Sequence, residues 1–169
     1  MTTARHVAAA VLALTVGVGT FLMLDGETSL DPAPSVAYTL LDGTPSSIDA
    51  LRGKVVLVNF WATSCAVCVR EMPQIVATHE RFKARGLETL AVAMSHDAPA
   101  SVAHFAQSRQ LPFGVVIDNT GAVARSFGDV RSTPTTLLIN RRGEIVKRYI
   151  GEPDFVALGR LVDTLLAEG

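Results

Sequence analysis

Hydrophobic and polar positions follow two regimes along the chain. From Val7 to Leu24, fourteen of eighteen residues are apolar and none is charged; the exceptions are Thr15, Gly17, Gly19 and Thr20. As a helix this run is about 27 Å long, close to the hydrocarbon thickness of a bilayer. Arg5 and the N-terminal amine precede it, and Asp25, Glu27 and Asp31 follow it. That asymmetry predicts an N-terminus inside and the rest of the chain outside. The run ends in Phe21-Leu22-Met23-Leu24 and then acidic residues. It has no small-residue cleavage pattern beside it, which favours an uncleaved anchor over a cleaved signal peptide. The nearest such pattern, Ser35-Val36-Ala37, lies downstream beside Pro34, and no Cys follows the run as lipid attachment would require. Residues 1–24 therefore read as a single-pass signal-anchor helix in the inner membrane, 25–34 as a polar linker, and 35–169 as a domain in the periplasm.

Within that domain the apolar residues come in short blocks separated by turn formers. Tyr38 to Leu41 reads as a strand ending at Asp42-Gly43. Ser47 to Leu51 reads as a helical turn capped by Ser46 or Ser47 and stopped at Gly53. The unbroken run Val55 to Phe60 suits a strand buried on both faces. A helix is predicted from Cys65 to Arg85, kinked by Pro73 and ended by Gly86. Leu87 to Met94 is a second buried strand, Pro99 to Gln107 a helix, Val115 to Ile117 a short strand and Ala122 to Phe127 a short helix. Thr135 to Ile139 and Ile145 to Ile150 form a hairpin around Arg141-Arg142-Gly143, and Phe155 to Ala167 an amphipathic helix. The alternation of strands and helices, closed by a hairpin, indicates an α/β fold with a mixed sheet.

Composition narrows the function. Fifteen Lys and Arg face sixteen Asp and Glu, a net charge of -1. That balance excludes the basic excess of a nucleic-acid binder. Two cysteines are too few to staple a small scaffold.

Those two, Cys65 and Cys68, stand two residues apart where a buried strand gives way to a helix. A zinc site needs about four N/S ligands, and the four histidines, His6, His79, His96 and His104, are scattered singly. A structural disulfide across so small a loop adds little stability. A redox pair explains the placement: the helix N-terminus stabilises a thiolate, and a second thiol one turn on can resolve a mixed disulfide.

The segment Asn59-Phe60-Trp61-Ala62-Thr63-Ser64-Cys65-Ala66-Val67-Cys68-Val69-Arg70-Glu71-Met72-Pro73 resembles the active-site strand and helix of the thioredoxin superfamily. Val130-Arg131-Ser132-Thr133-Pro134-Thr135-Thr136-Leu137 resembles that superfamily's cis-proline loop. The anchor, the extra N-terminal strand segment at about 36–51 and a helix–strand insertion at about 97–118 are similar to the membrane-anchored TlpA/ResA type. The resemblance implies a three-layer thioredoxin-like fold and a thiol–disulfide oxidoreductase without cofactor or metal. It implies that Cys65 is the exposed nucleophile and Cys68 the more buried resolving thiol. It also implies a cis Pro134 and a Thr133 backbone that pairs with extended substrate. Trp61 is expected either to shape the floor of the site or to pack in the core.

Several residues depart from the superfamily pattern. Asn59 stands where thioredoxin has a buried acid, so another group or water must take the proton of Cys68. Glu71 is nearest in sequence but reads as a solvated helix residue. Ser64 replaces a Trp. Ala66 and Val67 bring neither the His of strongly oxidising members nor the Pro of thioredoxin, a difference that leans toward a reductase. Thr135 stands where some cytochrome-maturation members have Glu. His96 reads as an exposed loop residue, His79 and His104 as solvated helix residues, and Arg141-Arg142 as a solubilising turn pair. The expected partners are an exported protein with a disulfide, which could include apocytochrome c, and a transmembrane thiol-transfer donor. A copper chaperone of the Sco kind, a thiol peroxidase and a net thiol oxidase are the alternatives.

Overall fold

The computed structural model describes residues 30–168. The anchor expected over 1–24 lies outside them, and no helix among the described residues is long and apolar enough to cross a membrane.

The chain forms β1 (Asp31–Pro32), β2 (Ala37–Thr39), β3 (Pro45–Ser47) and a 310 turn at Asp49–Leu51. β4 (Val55–Trp61), α1 (Ala66–Phe82), β5 (Leu87–Ala93), α2 (Pro99–Ser108), β6 (Gly114–Ile117) and α3 (Ala122–Ser126) follow. It closes with β7 (Thr135–Ile139), β8 (Glu144–Ile150) and α4 (Phe155–Ala167). The main sheet has the order β1-β8-β7-β4-β5-β6. β4, β5 and β6 run parallel, while β7 is antiparallel to both β4 and β8. The mixed sheet expected from the element order is present.

β4 explains the layering. All seven of its residues are buried. Its odd positions Val55, Leu57 and Trp61 join one core with Cys68, Met72 and Ile75 of α1, Val102 of α2 and Leu158 and Val162 of α4. Its even positions Val56, Val58 and Phe60 join a second core with Tyr38, Ile48, Val123 and Phe127. Helices therefore cover both faces, and each fully buried Val or Leu contributes about 1.5–3 kcal/mol relative to exposure. α1 continues through Pro73, and a 310 turn at Lys83–Arg85 ends at Gly86, whose φ of 104° suits glycine.

Three expectations change. The linker read over 25–34 is not free along its whole length: Asp31 and Pro32 pair with Ile145 and Glu144 as the sheet's edge, and Ala33 is buried. A two-residue strand carries no periodicity to read. The helical turn placed at 47–51 is shorter, because Ser46 and Ser47 pair with Tyr38 and Ala37 in a separate hairpin. Ser47 still caps the turn that follows, accepting a hydrogen bond from the Ala50 N–H at 3.3 Å. Arg141 does more than solubilise a turn. Its guanidinium donates to the carbonyls of Gly53, Arg85 and Leu166, tying three segments at the end of the sheet away from the cysteines.

Candidate redox site

Cys65 and Cys68 form a disulfide with a Cα–Cα distance of 5.2 Å. Cys65 is the N-cap of α1, in extended conformation (φ -90°, ψ 103°), and its Sγ accepts a hydrogen bond from the Cys68 N–H at 3.2 Å. On reduction that N–H and the positive end of the helix face the Cys65 sulfur and favour its thiolate. Cys65 is half-buried and Cys68 fully buried. The outer sulfur is thus open to attack and to attacking, and the inner one is shielded. Exposed Ala66 and half-buried Val67 between them add no charge.

Asn59 lies on the α1-facing side of β4, in register with Thr136 of β7. Its Nδ2 donates to Glu71 Oε1 at 3.1 Å and to Thr136 Oγ1 at 3.0 Å. Glu71 is fully buried, which corrects its reading as a solvated residue. The physical reason is helical phase. Cys68, Glu71, Met72, Ile75, His79 and Phe82 recur at three- and four-residue spacing and form the buried stripe of α1. Glu71 lies one turn beyond Cys68 on that stripe. Burial raises its pKa from 4.5 to about 7; the Asn59 hydrogen bond opposes the rise, nearby Glu152 adds to it and Arg70 opposes it. Glu71 Oε2 and Asn59 Oδ1 are both buried without a hydrogen-bond partner. A carboxyl in this state exchanges its proton near neutral pH, as Asn59 cannot. The signal that could have found it is a carboxylate on an otherwise apolar helical stripe one turn from a redox cysteine.

Trp61 takes the core role. It is fully buried beneath the α2 insertion, with Phe105 at 5.0 Å between ring centroids, and offers no surface for substrate contact. The Thr133–Pro134 peptide is cis. Pro134 is buried, Thr133 half-buried, and the Pro134 carbonyl accepts from Gly151 N–H at 2.8 Å. Thr135 pairs with Phe60, so this loop and the loop leading to Cys65 leave the sheet at the same end. Pro73 is exposed on α1.

His79 is a further correction. It is buried rather than solvated, with Nδ1 3.1 Å from Thr89 Oγ1 and its ring edge-on to Phe113. His96 and His104 are exposed. Among the described residues no group of three or more His, Cys, Asp or Glu is placed to hold a metal ion.

Residues 28–157 match the redoxin family. The chain is 39% identical over 111 residues to the thiol-disulfide oxidoreductase ResA of Halalkalibacterium halodurans, covering 66% of this chain and 62% of that protein. It is 37% identical over 119 residues to the protein of the same name from Geobacillus kaustophilus, covering 70% and 67%. The chain thus spans about two thirds of the length of these curated relatives. The solution structure of a candidate thioredoxin from Neisseria meningitidis superposes with a TM-score of 0.77 at 40% identity, covering 83% of this chain and 93% of that one. The chain belongs to the redoxin family, as a ResA-like member of the thioredoxin superfamily.

Proposed function

We propose that this chain is a thiol–disulfide oxidoreductase working mainly as a reductase of exported protein disulfides. One observation carries the reading: a Cys65–Cys68 disulfide at a helix N-terminus, its outer sulfur accessible and its inner sulfur one helical turn from a buried carboxyl with a pKa of about 7.

In the dithiol form, the Cys65 thiolate attacks one sulfur of a substrate disulfide. A Cys65–substrate bond forms and one substrate thiolate leaves. Cys68 gives its proton toward Glu71 and attacks Cys65 Sγ, forming the Cys65–Cys68 bond and releasing the second substrate thiolate. The substrate gains two electrons and the pair loses two. Thr133, half-buried beside Pro134, is the residue whose backbone would pair with an extended substrate strand.

Two local features of charge support the reducing direction. Ala66 and Val67 offer no cation to hold a thiolate, and an ionised Glu71 opposes one. Both features favour the disulfide form of the pair and so a reducing potential. An exported reductase in an oxidising compartment needs electrons from outside it. A transmembrane thiol-transfer protein is the donor class this requires, and cysteine pairs of apocytochrome c are a fitting substrate. The apolar run 7–24 and its flanking charges support a single-pass tether in the inner membrane with the domain in the periplasm.

The deciding measurement is the reduction potential of the Cys65–Cys68 pair against glutathione. A value near that of thioredoxin, about -270 mV, supports a reductase, and one near about -120 mV overturns it in favour of an oxidase. Membrane fractionation and protease protection of the full chain test the tether.

A further inference from the structure

The turn that leads into Cys65 is strapped to a residue far along the chain. Thr63 N–H donates to Asp97 Oδ2 at 2.5 Å, and Thr63 Oγ1 donates to Asp97 Oδ1 at 2.6 Å. Asp97 is 7% exposed, so its carboxylate needs partners to be tolerated at all. Both oxygens take them from this single residue of the redox loop.

Asp97 is itself anchored. Its N–H donates to the Met94 carbonyl at 2.9 Å, and Met94 N–H donates to the Trp61 carbonyl at 2.9 Å. The end of β5, the end of β4 and the turn before α1 are thereby joined in one hydrogen-bonded loop. Within the turn the tie to α1 is local: Cys65 N–H donates to the Ala62 carbonyl at 3.2 Å, and the Cys65 carbonyl accepts from Val69 N–H at 3.0 Å. When the disulfide opens, the covalent tie between Cys65 and Cys68 is lost. The Asp97–Thr63 strap is a tie on the same turn from outside the helix, independent of that bond.

We propose that Asp97 is a positioning residue of the redox site, holding Cys65 beside Cys68 through Thr63 while Cys65 carries a mixed disulfide. The Asp97 side chain is hydrogen-bonded to Thr63 and to neither sulfur. It acts on the resolving step, where two groups already on one chain must meet in line and a small loss of placement costs rate. The inference rests on the reading that Cys65 forms mixed disulfides.

The test uses the full chain in its reduced form and oxidised glutathione. In the first step Cys65 bonds one glutathione and releases the other as thiolate. In the second, deprotonated Cys68 attacks Cys65 Sγ and expels the bound glutathione, so that one glutathione disulfide becomes two glutathiones and two protein thiols become one disulfide. Acid quenching and mass spectrometry read both steps. Asp97→Ala is expected to slow the second step by about tenfold, with the mixed disulfide accumulating and the first step changed far less. Asp97→Asn keeps an acceptor for the Thr63 N–H and a donor for its hydroxyl oxygen, and is expected to restore most of the rate. Thr63→Val loses only the hydroxyl arm and falls between. A purely structural role would lower the melting temperature of Asp97→Ala and leave the second step at the wild-type rate, overturning the proposal. So would Asp97→Asn as slow as Asp97→Ala. If Asp97→Ala does not fold, Asp97→Asn and Thr63→Val carry the comparison: a wild-type second step in Thr63→Val overturns the proposal. A Cys68→Ser variant that forms no glutathione adduct at Cys65 would instead sink the oxidoreductase reading itself.

Discussion

Asn59 and Glu71 meet inside the protein, the amide Nδ2 donating to the carboxyl Oε1 at 3.1 Å with both side chains fully buried. The pair joins the central strand to the redox helix. Where thioredoxin carries an acid on the strand, this chain carries an amide there and the acid on the helix. The titratable group has changed element, and it stays on the side of the sheet that Cys68 occupies. An amide cannot take a proton from a thiol; a carboxyl raised to about 7 can.

In the wild-type protein, the rate at which Cys68 resolves a mixed disulfide should rise with pH through the range around 7 in which Glu71 ionises. Glu71→Gln keeps the size and hydrogen bonding of the side chain but cannot accept the proton. Its resolving rate at pH 7 should fall by about a hundredfold. The rising limb should move toward the ordinary thiol range near about 8.5. Rapid-quench kinetics from pH 5 to 9 test this, and an unshifted profile would show that water alone serves Cys68.

The same group makes stability depend on pH. Glu71 has a folded pKa of about 7 against 4.5 for the free side chain. Between those values the folded state holds a proton that the unfolded state has lost. Rising pH through that window therefore favours unfolding, and the contribution is fully present only below it. The oxidised protein, in which neither cysteine titrates, isolates the effect. Its denaturation midpoint relative to that of Glu71→Gln should fall as pH rises from about 4.5 to 7. A constant difference between the two proteins would refute the assignment.

The chemistry of the site was legible where it depends on local order in the sequence. Cys65 and Cys68 fall at a strand-to-helix junction, and Thr133-Pro134 opens a strand, so both stand out without a structure. Glu71, His79 and Arg141 did not, because polar residues in helices and turns are usually solvated. The first two sit on the buried stripe of α1 beside Met72, Ile75 and Phe82, and helical phase alone would have placed them there. Arg141 had no such signal. Its three carbonyl acceptors come from segments 25 to 88 residues away, a convergence that only the tertiary fold creates. The same holds for Asp97 and Thr63, which meet across 34 residues.

Removing the strand side of the buried pair should have the opposite effect on proton affinity to adding a partner. Asn59→Ala leaves Glu71 Oε1 and Thr136 Oγ1 without their shared donor. The Asn59 hydrogen bond holds the Glu71 pKa down against burial, so its loss should raise that pKa further. The unmade hydrogen bonds should cost about 1–3 kcal/mol in chemical denaturation. Carbon-13 NMR of the Glu71 carboxyl, followed through pH 5 to 9, reads the shift directly. A downward shift would show that water replaces the amide as donor.

His79 provides a pH dependence of the other sign. Its ring is buried between α1 and the sheet, hydrogen-bonded to Thr89 Oγ1 and to the Pro112 backbone, where only the carbonyl can take part. Burial lowers its pKa below 6.5, with Lys83 adding to the fall and Glu80, Glu88 and the Pro112 contact opposing it. Below pH 6.5 the unfolded state takes up a proton before the folded state does. The His79 contribution is therefore whole above that pH and is lost as pH falls toward the lowered folded value. His79→Gln keeps a hydrogen-bonding side chain without the titration. Wild type should lose stability relative to this variant on acidification below about pH 6.5, while Glu71 pulls the other way in both proteins and cancels from the difference. Urea denaturation of the oxidised wild type and His79→Gln at pH 7 and pH 5 makes the comparison. A wild-type advantage that grows at pH 5 would mean that the buried ring accepts the proton in place and finds Glu80 or Glu88 as its counter-charge.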